Sequence, residues 1–246
     1  MRTEPLSEKV AVAFVQPLYE LNIGYIARCM KNFGLSKLYL ISPRCRVGVE
    51  AIKYSTHARE IVESAVTVRS LEDLLPGFDL VVGTTGKRGP EPRRRAITPW
   101  EAASRIVNYS GKVLVVLGRE DIGLTNRELE MCDIVVTIPA NPAFPILNVS
   151  HAAAILFYEI YKASTLPHEI RGELPRREET EVLLQYFNLL LSELGVPEHR
   201  RRRACLTLRR IVGSYGLTAS DVRMLVGAIR GAVEKIKALE AGRKER

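Results

Sequence analysis

The chain has 246 residues, 46% hydrophobic and 26% charged, with a net charge of +8 and a pI near 9.4. That length admits one large domain or a domain with an appendage, and the positive balance fits a polyanionic partner. No apolar run reaches the ~18 residues of a membrane span, and the polar start MRTEPLSEKV lacks the apolar core of a signal peptide, so a cytoplasmic protein without membrane contact is expected.

Residues 9–15, KVAVAFV, form an apolar run closed by Gln16-Pro17 and predict a buried strand. Next, Ile23, Ile26, Ala27, Met30 and Phe33 recur at helical spacing, with Asn22 placed as N-cap and Gly34 as the stop. A strand at 37–42, a helix at 50–63 and a short strand at 65–68 follow. Leu71–Leu75 reads as a short helix ended by Pro76-Gly77, and 79–83 as a strand. Thr98-Pro99 opens a helix over 98–107. Strand 113–117, helix 125–131, strand 134–138 and a long helix from Asn148 to Ala163 complete the series. Apolar strands alternating with helices predict an α/β fold, a mostly parallel sheet with helices on both faces.

From Leu166 to Glu179 two prolines, a glycine and dense charge mark a linker. Helices are predicted beyond it at 180–194, 198–213 and 218–240, the last opened by the capping-box pair Thr218 and Asp221. The expected division is a domain over 1–165, a linker over 166–179 and a small all-helical domain over 180–246. Residues 166–246 hold 16 Lys/Arg against 11 Asp/Glu, so they carry +5 of the total charge. The helical part is the more basic one.

Four stretches put polar residues at the carboxyl ends of strands, where open α/β sheets bind ligands. In Asn22-Ile23-Gly24-x-x-x-Arg28 an arginine near a helix start can hold a phosphate bidentately, or be only a surface arginine on a capped helix. Thr84, Thr85 and Gly86 lead into a proline-stiffened loop whose Lys87, Arg88, Arg93, Arg94 and Arg95 suit a nucleic-acid backbone. In 118–125, GREDIGLT, Gly118 and Gly123 allow tight turns, but the lysine and spacing of a phosphate-binding loop and the G-x-G-x-x-G fingerprint are missing. Kinase and dehydrogenase readings lose support. Residues 138–151, IPANPAFPILNVSH, give a stiff path into a helix that Asn148 can cap; the lone His151 reads as structural. The cysteines Cys29, Cys45, Cys132 and Cys205 form no C-x-x-C pair and have no histidine at zinc spacing, so no metal site is expected. From the residues alone, hydrolase and transferase both stay open.

Taken together, NIGYIARCMKNFG, VLGREDIGLTNREL and IPANPAFPILNVSHAAAILFYE resemble, in order and spacing, the SPOUT superfamily of RNA ribose 2′-O-methyltransferases of the TrmH/TrmJ type, over residues 9–163. The wording GREDIGLTN and the helical extension are most similar to archaeal members that methylate the ribose of cytidine 32 in the tRNA anticodon loop. The resemblance implies a trefoil knot within residues 113–163, S-adenosylmethionine as cofactor, and a homodimer through the knotted domain that shares residues across its interface. It implies cofactor contacts at Thr84, Thr85, Gly86, Gly118, Ile138, Pro145, Ile146 and Leu147. Asn22, Arg28, Glu120 and Asn148 match the polar positions around methyl transfer, with Arg28 clamping a phosphate. The expected RNA contacts are the basic loop at 87–95 and, in the helical domain, Arg200, Arg201 and Arg202. Many members have serine where this chain has Ile146, so no role for that hydroxyl carries over. Methylation of ribosomal RNA and non-catalytic RNA binding are the competing readings.

Overall fold

The computed structural model describes residues 5–86, 96–165, 173–214 and 217–244, in two compact units, Met1–Glu169 and Ile170–Arg246. Strand β1 (Val10–Val15) is buried along its whole length. It pairs in parallel with β2 (Lys37–Ile41) on one side and with β5 (Val113–Leu117) on the other. β3 (Val66–Val68) lies outside β2, and β4 (Leu80–Thr84) and then β6 (Ile134–Val136) lie beyond β5, each pair again parallel. The order is β3-β2-β1-β5-β4-β6. The chain steps outward from β1 to β3 and then resumes on the opposite side. Open parallel sheets bind ligands at the carboxyl ends of their strands.

Strands as apolar as β1 and β5 need cover on both faces. Ala11, Ala13 and Val15 join Leu114, Val116, Val81, Val135, Leu71, Leu74, Leu124, Leu129 and Cys132 in one core cluster; Leu129 comes from the short helix α6 (Asn126–Glu130). Val10, Val12 and Phe14 point to the opposite face by strand alternation and are fully buried. Among the remaining helices of this unit are α1 (Leu6–Lys9), α2 (Glu20–Asn32), α3 (Val49–Ser55), α4 (Arg59–Glu63), α5 (Pro99–Asn108) and α7 (Val149–Thr165). α7 packs against both α2 and α5.

The predicted sheet, its parallel sense and its helical cover are all present. Several local expectations are corrected. Asn22 does not cap α2: the helix begins at Glu20 behind Tyr19, and Asn22 is buried in its first turn. The predicted helix 50–63 is broken at Thr56, whose φ of 54° places a β-branched residue in the left-handed region. Leu71–Leu75 is not an α-helix. Ser70 and Asp73 hydrogen-bond to each other's backbone N–H, and a 3₁₀ turn, Leu75–Gly77, takes in Pro76. β6 stops at Val136, where Thr137 N–H turns to the carbonyl of Ile97.

In the second unit, α8 (Arg177–Glu193) packs against α9 (Glu198–Ser214) and α10 (Ala219–Lys244). Leu183, Val212 and Val222 form the core, ringed by Leu208, Leu217, Val226 and Ile229. The capping pair Thr218 and Asp221 closes the start of α10, with Thr218 N–H donating to Asp221 at 2.8 Å. α8 starts three residues before its predicted beginning. The charged run assigned to the linker supplies its first turn, where Glu178 and Glu179 favour the helix dipole.

Candidate active site

A cleft of about 380 Å³ opens at the carboxyl ends of β4, β5 and β6, within the range of roughly 300–1,000 Å³ usual for small-molecule sites. Thr84, Thr85 and Gly86 reach it from β4, Gly118 from β5 and Ile138 from beyond β6, while Pro145, Ile146 and Leu147 lead into α7. All eight sequence candidates for cofactor contact line this one cleft. Thr84 is fixed by its hydroxyl, which donates to the carbonyl of Val116 at 3.0 Å. The apolar remainder comes from Leu124, Leu129, Val136, Val149, Ala152 and Leu156.

The loop after β5 turns back on itself. A Cβ on Gly118 would overlap the backbone of Gly123 and Leu124, and Gly123 itself has φ +71°. Both positions require glycine. Arg119, which lines the cleft and is 8% exposed, is the clasp that holds the turn. Its Nε donates to Gln16 at 2.9 Å, just past β1. One terminal nitrogen donates to the Gly123 carbonyl, and both reach the Glu128 carboxylate, at 2.8 and 2.9 Å. Glu128 also accepts from Thr125 N–H and hydroxyl at the start of α6. Burial pushes the Glu128 carboxyl up, but the hydrogen bonds from Arg119 and Thr125 outweigh it and hold it below its ordinary value. The same partner raises Arg119 further. Sequence reading passed over this pair. The signal available was the Thr125-x-x-Glu128 capping pattern.

Glu120, the next residue, also lines the cleft. Its carboxylate accepts from Leu18 N–H at 3.0 Å, Tyr19 N–H at 3.3 Å and the Asn22 amide at 3.0 Å. The structure thus brings Glu120 and Asn22 together, and residues 119 and 120 both tie the loop to the β1–α2 connection. Asn148 is exposed at the start of α7, where its side-chain oxygen accepts from Ser150 N–H at 2.8 Å and Ser150 hydroxyl at 2.7 Å. Arg28 does not join them. It is exposed further along α2, and its side chain has no hydrogen-bonded or ionic partner among the described residues. Lys87, Arg88, Arg93, Arg94 and Arg95 lie outside the described residues. In the second unit Arg200 and Arg202 are exposed on α9, whereas Arg201 is half-buried.

The donor set suits an organic cation better than a phosphate. Arg119 is neutralised by Glu128, which leaves the carboxylates of Glu120 and Asp121 as the uncompensated charges of the described lining. A sulfonium with an amino-acid tail fits that balance and the apolar walls. Among the described residues no cluster of three His, Cys, Asp or Glu could hold a metal, and no helix is long and apolar enough to cross a membrane.

Comparison with known proteins agrees with this geometry. The SpoU rRNA Methylase family profile matches residues 9–158. The tRNA (cytidine-2′-O-)-methyltransferase TrmJ of Methanocaldococcus jannaschii is 33% identical over 226 residues, 90% of this chain and 98% of that one. A probable methylase family protein of Haemophilus influenzae superposes with a TM-score of 0.67 at 29% identity, covering 94% of this chain and 98% of the other. TrmJ of Z. mobilis superposes with a TM-score of 0.65 at 27% identity, covering 90% and 97%. With a strand-end cleft, a glycine loop clasped over it and these relatives, the chain belongs to the SpoU family of the SPOUT superfamily, as an S-adenosylmethionine-dependent RNA 2′-O-methyltransferase of the TrmJ type.

Proposed function

We propose that this protein methylates a tRNA ribose 2′-hydroxyl, with cytidine 32 of the anticodon loop as the acceptor. The observation that carries the reading is the cleft at the ends of β4, β5 and β6, in a chain that continues into a basic helical unit. The family profile ends at residue 158, but the M. jannaschii tRNA enzyme aligns over 90% of the chain. That favours tRNA over the ribosomal RNA of the family's description.

The eight strand-end residues hold the cofactor, which when bound supplies an electrophilic methyl carbon. The protein must bring a ribose oxygen into line with that carbon and let its proton leave. Glu120 is poorly placed to take the proton, since its carboxylate already accepts three N–H donors. Together with Asn22 it positions the β1–α2 connection. A guanidinium is a poor general base, so Arg28 is given another role. It clamps the phosphate beside the acceptor, and the proton passes to that phosphate or to water. Asn148 sets the start of α7 beside Leu147.

Homodimerisation through this domain is part of the proposal. Tyr25 of α2 and Ile155, Tyr158 and Tyr161 of α7 are exposed, and Phe33 packs its ring on both Tyr158 and Tyr161. Arg28 lies one helical turn from Tyr25, so it belongs beside this face and would act at the partner's cleft. We also read residues 113–163 as a trefoil knot, a rare exception to unthreaded connections. The path from β5 past β4 to β6 and back through α7 onto α2 and α5 supports it.

The test is incubation with methyl-labelled S-adenosylmethionine and unmodified tRNA, followed by mapping of alkali-resistant nucleotides. Label on the ribose of nucleotide 32 is expected. Label confined to ribosomal RNA would overturn the tRNA assignment, and cofactor binding without transfer to any RNA would make this a non-catalytic RNA-binding protein. Arg28→Lys keeps the charge and loses the fork, so transfer should fall at least about tenfold with cofactor affinity unchanged; transfer equal to wild type would sink the clamp.

A further inference from the structure

The loop from Ser42 to Gly48, after β2, is anchored along its length to the end of β3, the β1–α2 connection and the start of α2. Ser42 N–H donates to Val68 and its hydroxyl to Arg69. Arg44 and Cys45 N–H both donate to the Pro17 carbonyl, at 3.0 and 3.1 Å, one residue before the Leu18 amide that Glu120 holds. Gly48 N–H donates to Glu20. Burial raises the Cys45 thiol, and the charges of Glu120 and Glu20 add to that, which puts this loop within electrostatic reach of the site.

Arg44 and Arg46 flank Cys45, are exposed, and have no hydrogen-bonded or ionic side-chain partner among the described residues. The nearby carboxylates of Glu20 and Glu120 are held by backbone N–H groups instead. Glu20 accepts from the N–H groups of Gly48, Glu50 and Ala51, and Glu120 from those of Leu18 and Tyr19. Two guanidinium forks without an ion-pair partner among the described residues thus lie on a loop tied to Pro17, two residues before Tyr19, itself 57% exposed. A single-stranded nucleic acid is what combined basic and aromatic surfaces of this kind take, phosphates on the arginines and a base on the ring.

Building on the RNA-methylating reading above, we propose that Arg44, Arg46 and Tyr19 form an RNA-binding surface beside the cleft, the arginines taking backbone phosphates next to the acceptor nucleotide and Tyr19 stacking on a base. None of the three lines the cleft, so cofactor affinity is independent of them.

The test compares full-length wild type, R44A/R46A, Y19A and a K37A/K112A control for tRNA affinity across a salt series and for S-adenosylmethionine affinity. Lys37 and Lys112 are also exposed but lie at the opposite, amino-terminal edge of the sheet. R44A/R46A should weaken tRNA binding at least about tenfold and flatten the salt dependence by about 0.7 per lost phosphate contact, with cofactor affinity unchanged. Y19A should weaken binding about tenfold with its salt slope intact. A control that loses as much as R44A/R46A would overturn the surface in favour of general charge attraction. An unchanged slope in R44A/R46A would overturn the arginine contacts, and in that case an altered sedimentation coefficient would assign the face to contacts between copies. If wild type binds the cofactor but no RNA, the functional reading fails with it; if wild type methylates tRNA and only the variants behave as wild type, this surface alone fails.

Discussion

Removing the charge of Glu128 would leave the Arg119 guanidinium buried at the cleft without its counter-ion. Glu128→Gln should therefore cost about 3 kcal/mol, a Tm loss of roughly 6–12 °C for a unit of this size, and loosen cofactor binding. Because the folded Glu128 carboxyl is held below its ordinary value, the stability it adds is complete above about pH 5 and is lost as pH falls through its folded value. The Tm gap between wild type and Glu128→Gln should narrow on acidification. A gap that stays constant would show that the ion pair is not its source. Gly118→Ala forces a methyl group onto the Gly123 backbone and should abolish cofactor binding, whereas Gly77→Ala, with nothing within 4 Å of its Cβ, should leave binding unchanged by titration calorimetry. The two glycines of this loop could be read from the sequence because tight turns demand glycine locally. The role of Glu120 could not, since its partners Leu18 and Tyr19 lie 102 and 101 residues earlier.

Among the elements, α7 was legible as far as its cap. Asn148 precedes an apolar helical run, and its side chain accepts the Ser150 N–H, as a cap should. Asn148→Ala should cost about 1 kcal/mol and weaken cofactor binding, because Leu147 beside it lines the cleft. Asn148→Asp keeps an accepting oxygen, so it should hold its Tm in a melting experiment; a fall in methyl transfer alone would then separate capping from chemistry. α2 shows the opposite case. Asn22 has the composition of a cap, but a carboxylate from a distant loop satisfies the turn before the helix, and Asn22 is drawn inward to it. The break at Thr56 was hidden for another reason, since Thr, Ser and His fit a helix pattern well enough to conceal a residue at positive φ.

For the whole molecule, the alternation of apolar strands and helices announces a parallel sheet, but not that β5 inserts between β1 and β4. Periodicity reports which faces are buried and is silent on strand order. A chain lacking residues 166–246 should still bind S-adenosylmethionine, because every residue lining the cleft lies in the first unit, while its tRNA affinity should fall at least about tenfold if the basic helices contribute several phosphate contacts. Filter binding of tRNA and calorimetry of the cofactor would separate the two. Tyr158→Arg, at the exposed aromatic face of α7, should shift the protein toward monomer in sedimentation velocity.

The central position of β5 also bears on how the chain reaches this state. Val10 of β1 pairs with Val113, so one edge of the central strand has no partner until more than a hundred further residues have been made. During synthesis β1, β2 and β3 can associate early, leaving an apolar open edge that invites pairing between nascent chains. Completion of the sheet depends on non-local contacts, which makes folding slow. Fragments ending at residue 112 should pellet on ultracentrifugation where fragments ending at 165 stay in the supernatant, and the late arrival of one strand would be the step at which this protein most depends on chaperones.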